Sequence, residues 1–121
     1  MDRTFLLVGA LAGFIGVAFG AFAAHGLRSR LSPEMMAVFE TGVRYQMYHA
    51  FAVLIVALGA ARFDGWLIRA AGWSFTAGMV LFSGSLYALA LSGVTVLGAI
   101  TPIGGVLLVI GWALLIALAI V

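Results

Sequence analysis

The side chains able to do chemistry crowd into one stretch of this chain, from His25 to His49. Glu40 and Arg44 stand four residues apart with the acid first, the order that favours an ion pair on one helix face. Tyr45 and His49 are also four apart, with Gln46 and Tyr48 between them. Two kinds of chemistry fit His49. A titrating imidazole serves a proton relay or ligates a metal or haem. A neutral imidazole bonded to a backbone carbonyl or a Tyr hydroxyl orders the helices around it. His25 divides the same way. It is placed to cap free carbonyls at a helix end, where the dipole favours it, or to act as a second haem ligand beside His49.

Other chemistry is missing. The chain has no Cys, which removes disulfides, thiolate metal sites and haem attachment through Cys-x-x-Cys-His. Met35, Met36 and Met47 carry thioethers of the kind that holds Cu(I), but apolar packing is their plainer role. No nucleophile–base–acid set is visible. The glycines lack the strand–loop–helix setting of a phosphate loop. Net charge is only +2, and no basic patch interleaved with aromatics points to nucleic acid. These absences point away from an enzyme and assign no metal and no cofactor.

The elements that must position this polar group are membrane helices. Of the 121 residues, 65% are hydrophobic and 8% charged, against about 25% charged in a soluble domain. The last charged residue is Arg69. The run after it is more than twice the ~20 residues that a span needs, so it holds two spans. The first half holds two more.

Span one covers about 5–24, with Gly26 as its left-handed terminator. A signal peptide cleaved near Ala21-Phe22-Ala23 competes with this reading, but the apolar run exceeds the usual ~7–15 residues. Ser32 suits an N-cap, Pro33 a first helical residue and Glu34 the first turn. The helix they begin is too long for the hydrocarbon alone. Its 33–43 segment belongs at the headgroups or beyond, and 43–61 crosses. A polar turn over 62–65 leads to span three, 66–91, with Trp66 and Trp73 as interfacial anchors. Ser92-Gly93 opens the next connection, and Thr101-Pro102 reads as cap and first residue of span four, 102–121.

The expected fold is all-α, one integral-membrane four-helix bundle running up-down-up-down. The two ends carry three Arg each, so the positive-inside rule gives no orientation. On this threading His49 lies about 10 Å inside the membrane, and His25 starts on the same side. Ala12, Gly16, Gly20 and Ala24 recur every fourth residue, and Gly9 and Gly13 form an adjacent row. Such rows let helix backbones approach closely. They serve the bundle's own packing or a homo-oligomer. Ser83-Gly84-Ser85 and Gly104-Gly105 are candidate partners inside the chain, and Tyr87 a helix-to-helix hydrogen bonder.

Several of these blocks carry a resemblance. Gly20-Ala21-Phe22-Ala23-Ala24-His25-Gly26-Leu27 and Glu40-Thr41-Gly42-Val43-Arg44-Tyr45-Gln46-Met47-Tyr48-His49-Ala50 resemble signatures of the domain-of-unknown-function family 423. Leu81 to Tyr87, Leu97 to Gly105 and Gly111-Trp112 match further blocks, while Ala23 stands where that family more often has Gly. The resemblance implies a small multi-span protein of the bacterial inner membrane, similar to eukaryotic transmembrane protein 256. It brings no activity and no catalytic residue.

The leading expectation is a non-catalytic accessory, assembly or membrane-organising protein. It would sit in the lipid bilayer as a homo-oligomer or as a subunit of a larger complex. One alternative is an oligomeric transport or lipid-handling protein with a polar entrance at Glu40, Arg44, Tyr45 and His49. A second is haem, quinone or metal binding through His25 and His49.

Overall fold

The computed structural model describes residues 1–121 and contains four long helices and no strand. Helix α1 spans Arg3–Phe22. Asp2 caps it, its carboxylate accepting from the Thr4 and Phe5 amides at 2.9 and 3.2 Å. The Asp2 amide donates to the Ala57 carbonyl at 2.9 Å, so the chain's start is pinned to the far end of α2. The helix does not stop at Gly26. It widens into one π-helical turn, Ala23–Leu27, and only Gly65 and Gly93 take positive φ. Gly26 is small for another reason: a Cβ there would stand 2.9 Å from the Phe22 ring.

Helix α2 spans Pro33–Gly59 and begins as its sequence dictates. The Ser32 hydroxyl accepts from the Met35 amide at 3.2 Å, Pro33 occupies the first turn and Glu34 follows it. Helix α3, Trp66–Ser92, is bracketed by Gly65 at φ 120° and Gly93 at φ 72°. After a 3₁₀ turn at Thr95–Ala99 comes α4, Thr101–Ile120. Here Thr101 is not the cap. Ile100 takes that place, and the Thr101 hydroxyl is engaged instead with Ser85 Oγ of α3 at 2.6 Å.

Three helical stretches are long and apolar enough to cross a membrane: Arg3–Leu27, Trp66–Ser92 and Thr95–Ile120. Helix α2 is the most polar and, with α3, forms the buried middle. Sequence neighbours pack antiparallel along their lengths, α1 on α2, α2 on α3 and α3 on α4. No seam of like extent joins α1 to α3 or α4, or α2 to α4. The outer helices α1 and α4 are accordingly the least buried. The main core gathers Phe5, Val53, Val56, Ile68 and Phe75. A second cluster packs Met36 and Phe39 against Ala23, Leu27 and Ala90. The 33–43 segment is thus continuous with the rest of α2 and contributes to the interior.

The small-residue rows need correction. Gly9, Ala12 and Gly16 are buried and Gly20 half-buried, but Ala24 is exposed and Ala23 takes the inward place. A strict four-residue step drifts about 40° round a helix per repeat, so a row starting at Ala12 spirals off the seam before Ala24. Nothing lies within 4 Å of a Cβ built on Gly13 or on Gly84. The partner of α1 is α2, not the small residues of α3 or α4. Gly104 faces α3, where a Cβ would run into the Phe82 amide nitrogen and lie 2.9 Å from the Gly78 carbonyl. Gly105 has only ordinary contact with the Phe82 ring.

Candidate functional site

Two polar side chains of α2 turn inward, three residues apart, and serve different neighbours. Gln46 looks toward α1 and α3. Its Nε2 donates to the Ala12 carbonyl at 2.8 Å, and its Oε1 accepts from the Tyr87 hydroxyl at 2.6 Å. A carbonyl only accepts, so the orientation of this amide is fixed by its partners. One side chain thereby ties three helices. Just above, Ser83 Oγ of α3 donates to the Gly42 carbonyl of α2 at 2.6 Å. Gly42 permits this approach, since a Cβ there would stand 2.8 Å from the Tyr87 ring. Phe19 and Phe39 close around Tyr87, with ring centroids 5.0 and 4.9 Å away.

His49 looks toward α4. Its Nδ1 lies 2.7 Å from the Tyr45 carbonyl, and the Trp112 indole donates to its Nε2 at 3.2 Å. The carbonyl accepts only and the indole donates only, so the two together select the neutral ring with its proton on Nδ1. Phe75 and Trp112 flank that ring, with centroids 5.8 and 6.1 Å away. Both nitrogens are occupied by the protein, which leaves none directed to a metal, a haem or a proton chain in this arrangement.

Of the remaining members of the expected cluster only Tyr45 meets His49, its ring stacked on the imidazole with centroids 6.3 Å apart and its carbonyl at Nδ1. Glu40, Arg44, Tyr45 and Tyr48 are exposed, and no ion pair joins Glu40 to Arg44. Tyr45 leans on Phe82 and Tyr48 on Tyr45, at 4.9 and 5.7 Å between centroids. His25 is exposed on the π turn and caps no carbonyl. The cause is the helix itself. Successive residues turn by about 100°, so Arg44 and Tyr48 fall away from the face that Gln46 and His49 share, and Tyr45 lies at its edge. No group of three or more His, Cys, Asp or Glu side chains assembles for a metal.

Tyr87 fills the helix-to-helix role expected of it. Trp112 is the partner that sequence reasoning missed as a contact. The available signal was an indole donor within an otherwise apolar span, which must find an acceptor when it is not at the interface.

A family profile described as "Protein of unknown function (DUF423)" matches residues 19–105. A Bacillus subtilis relative, UPF0382 membrane protein YwdK, is 42% identical over 119 residues, covering 98% of this chain and 97% of its own. A Haemophilus influenzae UPF0382 membrane protein is 50% identical over 112 residues, covering 93% and 90%. The Staphylococcus epidermidis UPF0382 membrane protein SERP0230 is 47% identical over 116 residues, covering 94% and 93%. No solved structure matches the chain. With these relatives and three spanning-length helices, the chain is a helical membrane protein.

Proposed function

We propose that this chain, which belongs to the DUF423 family, works as a non-catalytic accessory or organising protein of the bacterial cytoplasmic membrane. One observation carries the proposal. The four buried polar side chains, Gln46, His49, Ser83 and Ser85, each make a tie within or between helices. A reaction site holds such groups toward a substrate, whereas these hold the bundle together. The charged side chains Glu40 and Arg44 stay at the surface, where headgroups or a partner protein meet them.

The choice of membrane rests on chemistry and on kinship. A spanning helix satisfies its own backbone, whereas spans of bacterial outer membranes are β-barrels. This chain has no strand, and its relatives come from Bacillus, Staphylococcus and Haemophilus.

The test has two arms. Cross-linking in native membranes, then isolation of the tagged chain, is expected to yield one membrane protein at fixed stoichiometry. Purified chain in liposomes is expected to pass neither protons nor small solutes. Flux through wild type that disappears in His49→Ala overturns the proposal in favour of oligomeric transport.

A further inference from the structure

Helices α1 and α3 both pack on α2, yet their aromatic contacts with each other lie at two points. At one end Phe5 stands edge-on to Trp73 at 5.2 Å and fills the space over Gly72, where a Cβ would lie 2.5 Å from its ring. At the other end Phe19 stands edge-on to Tyr87 at 5.0 Å. Along α1 those two phenylalanines are roughly 21 Å apart, at about 1.5 Å per residue. Between them lies a slot of about 340 Å³. Val8, Leu11 and Ile15 form one wall and Met79 and Val80 the other, while Gln46, Tyr87 and Thr76, whose hydroxyl donates to the Gly72 carbonyl, supply polar groups. Gly84 lines it too, exposed and with nothing near its missing Cβ. The volume is within the ~300–1,000 Å³ typical of small-molecule sites.

The polar groups have capacity left over. Gln46 Nε2 carries two protons, and Ala12 takes one. The Tyr87 hydroxyl gives its proton to Gln46, so its oxygen still accepts. Both residues line the slot, so a donor and an acceptor border its apolar walls, and no Asp, Glu, Lys, Arg or His lines it. The complement is an uncharged hydroxyl, which takes one bond and gives the other, or a carbonyl, which takes one. The aliphatic walls complement a hydrocarbon tail. A charged headgroup would find no counter-charge there.

We propose that the slot between α1 and α3 binds a neutral lipid, a long hydrocarbon chain bearing an uncharged hydroxyl or carbonyl. Glycerides and isoprenoid quinones share that chemistry. Neither His49 nor Trp112 lines this slot, and the inference does not depend on the role proposed above.

Thermal unfolding of the purified, delipidated full chain in detergent tests it. The probes are dioctanoylglycerol and decylubiquinone, with dioctanoyl phosphatidylglycerol as the charged control. At least one neutral probe is expected to raise Tm saturably, by about 5 °C or more at roughly 100-fold excess over Kd. Whichever does so names the source. Gly84→Leu adds bulk in the slot from a Cβ with nothing within 4 Å, so it is expected to melt near wild type and to lose most of that rise. Tyr87→Phe, which removes the hydroxyl alone, is expected to weaken binding about threefold to tenfold. The proposal is overturned by no rise with either neutral probe, an equal rise with the charged lipid, or an undiminished rise in Gly84→Leu. A dimer in detergent that Gly84→Leu dissociates also overturns it, by making a second copy the occupant.

Discussion

The α1–α2 and α3–α4 seams use the same device, glycine where two helices cross, but set different things against it. On α1, a Cβ added at Gly9 would meet the Leu54 side chain at 2.7 Å, one added at Gly16 would strike Met47 Sδ, and one at Gly20 would rest 3.5 Å from Val43. These are mostly side-chain ends, and a methionine end swings easily. On α4, a Cβ at Gly104 would strike the Phe82 backbone. One at Gly78 would lie 2.9 Å from the Leu108 amide nitrogen and 3.0 Å from the Gly104 carbonyl. Backbone cannot swing without moving a helix. A small-residue row therefore reports close approach, but the opposing atoms decide how much substitution it tolerates.

Gly104→Ala should give the largest effect. Alanine is the better helix former by about 1 kcal/mol, yet here the methyl must separate α3 from α4. A net loss of about 3 kcal/mol or more is expected, read as a fall in Tm in detergent or as lost expression. Gly16→Ala should cost about 1 kcal/mol, because Met47 can give way. If the two variants melt alike, the distinction between backbone and side-chain opposition is wrong.

The polar ties should come next. Gln46→Leu breaks one bond to α1 and one to α3. At the ~0.6 kcal/mol average for bonds inside membranes, with ~1.7 as the upper end, the loss should be about 1–2 kcal/mol. His49→Leu breaks the Trp112 tie and should cost about 1 kcal/mol. His25→Leu should leave Tm unchanged, since His25 is exposed and unbonded. Equal losses in the two His variants would remove the structural role assigned to His49.

Much of this was legible in the chain. Ser32-Pro33-Glu34, Asp64-Gly65 and Ser92-Gly93 are local signals, and each helix they bound begins or ends there. The candidate site was legible in membership but not in direction. Composition and spacing marked the stretch around Gln46 and His49 as costly in lipid. Which of its residues turn inward depends on where α1, α3 and α4 sit, and that is tertiary. The π turn at Ala23–Leu27 was hidden for a related reason. Gly26 reads as a terminator only if the helix ends there, whereas the aromatic ring of Phe22 explains the glycine without an ending.

The smallest effect is the sharpest test of the seam itself. Gly9 and Gly13 sit four apart on α1 and look equivalent in sequence. Four residues carry a position about 40° past a full turn, enough to move Gly13 from the seam to open space while Gly9 stays against Leu54 and Ala50. Gly13→Ala should therefore be neutral or should stabilise by about 0.5–1 kcal/mol, through helix propensity alone. Gly9→Ala should destabilise, because its new methyl would also stand 3.1 Å from the Ala50 carbonyl, which is backbone. A Gly13→Ala variant that melts lower than Gly9→Ala, or that loses an oligomer wild type forms, would place a second copy of the chain against that face.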